Sequence, residues 1–339
     1  RSSAPAEREE ASEALAYHYT AAGDAPRAAE FAALAAQRAM RASALDRAQA
    51  QFRAALSALD GLERNPDTAR QWNLAAQGLG LACVFDPARA DLPWFDRAIE
   101  LARVAGDPQL LARALYWRAY IDYALGNQRQ ALQGAQTALQ AAADCGDARL
   151  HVQLQATLGQ ALVAAGRNDE ALPWLERAVA VKREHRSGKG AAVGLAYSLI
   201  TLGHAQADLG RFALAQTCFD DTFALVGDVP HEVMASAKGA HAAVLLWQGR
   251  WAEALDAATH AYRVGQQVRS LFTLSMGRAA AAYARWKVQG DRAAITELHE
   301  AMAWLVPRGN TLKSSMPCTT RPTVVMLRSS WRGDWPVTT

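Results

Sequence analysis

Leu158-Gly159-Gln160-Ala161-Leu162-Val163-Ala164-Ala165-Gly166-Arg167-Asn168-Asp169-Glu170-Ala171-Leu172-Pro173-Trp174-Leu175-Glu176-Arg177-Ala178 reads as two helices joined at one glycine. Gly159 lies seven positions before Gly166, with the apolar Leu158 and Leu162 beside it. Ala171, Leu175 and Ala178 follow the glycine by five, nine and twelve positions. That spacing puts the three on one helical face. Small residues at the crossing let the helices approach closely, and Leu175 fills the neighbouring gap.

The pattern recurs along the chain. Gly126 leads to Ala131 and Ala138, Gly210 to Ala215, Phe219 and Thr222, and Gly249 to Ala254 and Ala261. Gly23 leads in the same way to Ala28 and Ala35. Ala16, Ala119, Gly203 and Ala242 hold the small position before the turn. Two registers lack the glycine: Ser43 leads to Ala48, Phe52 and Ala55, and Asp86 to Phe95 and Ala98. Successive turns from Asp86 lie 40, 40, 44, 39 and 41 residues apart. A fixed period of this kind marks a stack of helical hairpins. After Gly290, Ile295 and Met302 stand where small residues are expected, as suits an atypical last repeat.

Helical periodicity predicts fifteen helices, over 8–22, 26–41, 45–60, 67–84, 91–105, 108–125, 128–144, 148–165, 169–185, 191–209, 212–226, 231–248, 251–267, 270–289 and 292–305. Glycine supplies the left-handed residue that ends a helix, and Asp or Asn caps the next, as in Gly106-Asp107 and Gly126-Asn127. From Pro307 the pattern stops. We therefore divide the chain into a repeat domain over 1–306 and an irregular, disordered tail over 307–339, rich in Pro, Ser and Thr.

Charge excludes some functions. The formal net charge of +3 comes from the tail, where Arg308, Lys313, Arg321, Arg328 and Arg332 face Asp334 alone. The remainder is nearly neutral and carries no long basic face, so no direct nucleic-acid contact is expected. The densest basic stretch, Lys182, Arg183, His185, Arg186 and Lys189, sits where a helix should end and cations offset the macrodipole. Cys83, Cys145, Cys218 and Cys318 form no CxxC pair, which suits isolated thiols in the cytoplasm. No apolar run is long enough to span a bilayer. The chain opens at Arg1 without Met, so we expect that a further domain precedes it.

These residues resemble the tetratricopeptide repeat, over roughly residues 10–305. The resemblance implies a right-handed superhelical solenoid of antiparallel helix hairpins, all-α, with about seven repeats. A period near forty exceeds the usual length of about 34 residues. Longer repeats of this sort resemble the C-terminal regions of bacterial ATPases linked to nucleotide cyclases and of MalT-like transcriptional regulators. The opening stretch, Leu15-Ala16-Tyr17-His18-Tyr19 through Gly23-Asp24, is similar to the start of such regions.

Catalytic motifs fail on inspection. Ser187-Gly188-Lys189-Gly190 lacks the first glycine and the hydroxyl of a phosphate loop. His231-Glu232 and His299-Glu300 meet Ala235 and Ala303 where a second zinc ligand is needed. We expect no enzyme activity, metal or cofactor. In the tetratricopeptide family the first helix of each hairpin lines the concave surface. Its inward positions correspond here to Arg113, Tyr116, Tyr120 and Tyr123, then Gln153, Gln160, Tyr197 and His204. These side chains either form a groove for an extended peptide or pack between hairpins with their polar ends at the rim. The tryptophans Trp94, Trp117, Trp174, Trp247 and Trp251 read as packing between repeats. The expected function is a non-catalytic scaffold in a bacterial signalling protein that binds a protein, a peptide or an adjacent domain of its parent chain. The alternative is a sensor that binds a small molecule or peptide in the groove and regulates an attached ATPase.

Overall fold

The computed structural model describes residues 11–42, 44–84, 87–185, 189–227, 231–268 and 270–303. Among them are fifteen α-helices and no strand. They are α1 (Ser12–Ala21), α2 (Ala25–Arg41), α3 (Leu45–Asp60), α4 (Pro66–Ala82), α5 (Leu92–Ala105), α6 (Pro108–Ala124), α7 (Gln128–Asp144) and α8 (Ala148–Ala164). There follow α9 (Asn168–Glu184), α10 (Lys189–Asp208), α11 (Phe212–Val226), α12 (Glu232–Trp247), α13 (Trp251–Val268), α14 (Leu271–Gln289) and α15 (Ala293–Ala303). A 3-10 turn, Arg89–Asp91, leads into α5. The expected tail over 307–339 lies outside the described residues, as does Cys318.

The turns follow the capping chemistry of the sequence. Nine glycines, Gly23, Gly106, Gly126, Gly146, Gly166, Gly210, Gly227, Gly249 and Gly290, have φ between 64° and 77°, where a side chain would strain the backbone. Asp24, Asp107 and Asp147 then accept from backbone N–H groups of the next first turn, at 3.0 to 3.2 Å. Each such bond satisfies a donor that the helix leaves open.

The described residues divide into two compact units, those up to 124 with 133–151, and 125–132 with those from 152 onward. Within each, consecutive helices pack as antiparallel neighbours, and alternate helices also touch: α2 with α4 and α4 with α6 in the first, α10 with α12 and α12 with α14 in the second. These alternate helices are the first members of their hairpins. The pairs α2–α3, α4–α5 and so on to α14–α15 therefore make seven hairpins among the described residues, with α1 standing before them. Gly23 thus lies between hairpins, half a period out of phase with Gly126 and Gly166. Its Ala28 and Ala35 are buried all the same, because both helices of a hairpin bury small residues.

The small positions are the contact points. Ala48, Ala131, Ala171, Ala215 and Ala254 are all but fully buried, as are Ala55, Ala138, Ala178 and Ala261. Thr222 replaces Ala because its hydroxyl donates to Cys218 O at 2.7 Å within the helix. A Cβ on Gly159 would lie 2.6 Å from Leu175 Cγ, and one on Gly80 would lie 2.4 Å from the Trp117 ring. After Asp86, the alanine position is taken by Asp91, buried and gripped by Arg53 Nε and Nη2, both at 2.7 Å. After Gly290 the register continues one residue early. Ala294, Leu298 and Ala301 are buried, while Ile295 is only partly so. That corrects the expectation that the last repeat loses its small residues. Met302's side chain lies outside what is described.

Candidate functional site

In the first unit, α6 carries the first four of the expected inward residues. Arg113 stands at its outer end with 51% of its side chain exposed and donates from Nη2 to Asp147 Oδ2 at 3.2 Å. Asp147 is fixed in turn by the Leu150 N–H, and that bond, helped by Arg113, holds its carboxyl below the usual range. Further along α6, ring centroids of Tyr116 and Tyr120 lie 6.1 Å apart, and those of Tyr120 and Tyr123 lie 5.9 Å apart. Trp117 meets Tyr116 and Tyr120 edge-on, at 5.0 and 5.9 Å. Tilted and edge-on contacts at these distances suit the ring quadrupole. The four rings form a continuous aromatic ladder.

Burial tunes this ladder. Tyr116 is buried, whereas Tyr120 and Tyr123 are half-buried. Burial raises the Tyr120 phenol well above its ordinary value, with Tyr116 and Tyr123 adding to the effect. Burial alone pushes Tyr123 to about 12. Both phenols are neutral at physiological pH, so they offer hydrogen bonds and ring edges rather than charge or a nucleophile.

A small cleft opens beside the ladder, with a cavity of about 30 Å³ between α4 and α6. Leu74, Gln77, Leu110, Arg113 and Trp117 line it, and Phe95 and Ala98 of α5 lie beneath. Asn73 is locked in its wall, its Nδ2 donating to Ala69 O at 3.0 Å and Ala98 O at 3.2 Å. Leu74 is 65% exposed, unusual for a leucine next to a recess. Sequence reading singled out Arg113 but not Leu74 or Gln77. Their signal was available: both sit on the solvent side of a helix whose buried positions are set by Trp72, Asn73, Ala76 and Leu79.

The other four candidates belong to the second unit, and none is fully exposed. Gln153 Oε1 accepts from Lys182 Nζ at 3.0 Å, and the same ammonium donates to Gly194 O at 3.2 Å and Ser198 Oγ at 3.0 Å. Burial among these neutral acceptors lowers Lys182 to about 8. Lys182 thus lies in the last turn of α9, as its sequence context suggested, and also ties α8, α9 and α10 together. Gln160 Oε1 is buried without a partner, as are Gln155 Oε1 and Thr157 Oγ1 on the same helix. Tyr197 is half-buried, and its backbone carbonyl accepts from Thr201 Oγ1 at 2.9 Å. His204 is only 3% exposed, edge-on to Phe219 at 6.0 Å and to Trp247 at 6.2 Å. Burial lowers it to about 4, so the imidazole is neutral. The structure brings together the tyrosine ladder and Arg113, and separately ties Gln153 to Lys182.

Among the described residues no three His, Cys, Asp or Glu side chains gather as metal ligands, and no helix is long and apolar enough to cross a membrane. No family model matches the chain, and no curated protein matches its sequence. Solved structures do. Aspartyl phosphate phosphatase F from Bacillus subtilis has a TM-score of 0.62 at 13% identity, covering 86% of this chain and 72% of its own. A Rap protein complexed with competence and sporulation factor has a TM-score of 0.60 at 14% identity, covering 90% and 91%. NprR in complex with its cognate peptide NprX has a TM-score of 0.60 at 15% identity, covering 90% and 82%. With the helix pairing described above, these similarities give the chain a tetratricopeptide-like helical repeat fold.

Proposed function

We propose that this chain is a non-catalytic regulatory binding module that holds a segment of another protein or a peptide along α6. One observation carries the reading. The exposed guanidinium of Arg113, the half-open faces of Tyr120 and Tyr123, and the recess beside Leu74 and Trp117 occupy one stretch of helix. Neutral phenols and a guanidinium supply directional hydrogen bonds over a large ring area, the combination that dominates binding energy at protein interfaces. The recess is sized for a single small apolar side chain. Arg113 keeps N–H groups beyond its bond to Asp147, and these can take a carbonyl or a carboxylate of the bound segment.

The sensor reading has support of its own. NprR, with which this chain shares its fold, was solved with a cognate peptide. A peptide is therefore the ligand class we favour over a sugar or nucleotide. We further propose that residues 1–306 form the repeat region, that 307–339 form a separate tail, and that the parent protein is a bacterial regulator of the cyclase-linked ATPase or MalT-like kind. Peptide-library binding to the immobilised chain tests the site. Arg113→Ala and Tyr120→Ala should each weaken the selected peptide by about tenfold or more, while Arg278→Ala on α14 leaves it unchanged. Binding by the first two variants equal to that of the unmodified chain would remove the site from α6.

A further inference from the structure

Far along the chain from α6, three aromatic rings surround one ammonium group. Lys287 Nζ lies 4.3 Å from the ring centroid of Trp286, 5.6 Å from Trp251 and 5.8 Å from Tyr283. The rings are inclined to one another, Trp251 to Tyr283 at 72° and Tyr283 to Trp286 at 59°, with centroids 6.2 and 5.6 Å apart. All three distances fall within the range in which a cation is attracted by the negative face of a ring. Trp251 begins α13, whereas the other two rings and the lysine lie near the end of α14, so the cluster bridges two hairpins. Its aromatic walls are anchored: Tyr283 is buried, and Trp251 and Trp286 pack against the core that holds Ala254, Ala282 and Leu298. Lys287 itself is exposed.

We propose that these rings form a binding site for a quaternary methylammonium group, with Lys287 as a displaceable occupant. A primary ammonium is compact and strongly hydrated, so it gains little by leaving water for an aromatic surface. A trimethylammonium group carries the same charge on a larger, apolar, weakly hydrated surface, and it fits between tilted ring faces better. The lysine is on a flexible stem at the surface and can swing out without disturbing the buried parts of the rings. The site is independent of the peptide-binding reading of α6.

Tryptophan fluorescence of the full chain, titrated with tetramethylammonium chloride against matched sodium chloride, tests the proposal. A saturable change is expected, and Lys287→Ala should bind about tenfold more tightly because the resident cation is gone. Lys287→Arg should bind more weakly, since a guanidinium stacks more firmly on the rings. Both substitutions are at the surface, so folding is not at stake. Choline and Nε-trimethyllysine as titrants separate a small-molecule head group from a modified protein side chain. The neutral isostere 3,3-dimethylbutan-1-ol should bind neither variant. No saturable response in either the unmodified chain or Lys287→Ala, equal binding of the neutral isostere, or affinities that do not move in opposite directions in the two variants would each overturn the site.

Discussion

Glu232 shows how far burial overrides local chemistry. It sits in the first turn of α12, where the helix dipole favours a carboxylate. It is nonetheless buried, and burial raises it to about 7 against the usual 4.5, although the Ser270 hydroxyl donates to its Oε1 at 2.8 Å. In the unfolded chain the carboxyl loses its proton near 4.5, while the folded chain holds it to about 7. Its contribution is fully present below the lower value and is lost as pH rises through the upper one. Glu232→Gln does not titrate, so its stability relative to the unmodified chain should rise between those two values, by up to about 3 kcal/mol, and level off above. Urea midpoints of both chains across that range give the measurement, and a constant gap would contradict it. His204 acts in the opposite sense, because burial lowers it from 6.5 to about 4 and its stabilisation disappears as pH falls across that interval. Comparing the variant with its parent cancels the histidine term.

At the scale of helices, the joints between hairpins differ in kind. The residue two places after Gly126, Gly166, Gly210 and Gly249 reaches toward the end of the next hairpin's first helix. Gln128 Nε2 donates to Ala164 O at 2.8 Å. Asn168 Nδ2 donates to the Asp208 carboxylate. Phe212 joins the same apolar cluster as Trp247, and Trp251 meets Tyr283. The first two joints are polar and the next two aromatic. Gln128→Ala removes one hydrogen bond and should cost about 1 kcal/mol. Trp247→Ala leaves a cavity and should cost about 3–5 kcal/mol. Denaturant unfolding of the two variants compares them, and a larger loss at Gln128 would show that the polar joint is the stronger.

Much of this organisation is legible from residues alone, and the exceptions are instructive. The helix expected over 108–125 runs over Pro108–Ala124, and that over 212–226 matches its expected bounds. Apolar period and glycine turns settle such limits because each reports a local backbone preference. The pairing of helices is less local. Gly23-Asp24 resembles Gly106-Asp107 and Gly146-Asp147, all of them turns between hairpins, yet the alanines after Gly23 imitate the other register. Lys182 sits in a basic run but spends its three protons on acceptors from two other helices, which no local pattern encodes. At the candidate site, the inward positions of the resembled repeat family gave Arg113, Tyr116, Tyr120 and Tyr123. Leu74 and Gln77 escaped because a neighbouring helix supplies them.

For the molecule as a whole, stability is expected to be regional. Each hairpin packs mainly on its sequence neighbours, so free energy accumulates by nearest-neighbour terms and local opening need not spread. The α14–α15 hairpin is tied by ion pairs: Arg285 to Asp291 at 3.2 Å and to Glu297, and Arg278 to Glu297 and Glu300. Arg285→Ala should accelerate amide hydrogen exchange in α14 and α15 while leaving α8 to α11 as protected as before. Faster exchange throughout the second unit would show that it opens as one body.

The change from amide to ring along the joints carries a consequence for engineering. A consensus array tolerates shuffling because every module mates with every other. Here, transplanting the segment that begins at Phe212 to follow α8 would set a phenyl ring against the place made for Asn168. Placing a copy of the segment that begins at Gln128 after α10 would offer a carboxamide to Trp247. The modules share a backbone plan but not a common coupling, so their order along the chain is keyed by the side chains at the joints.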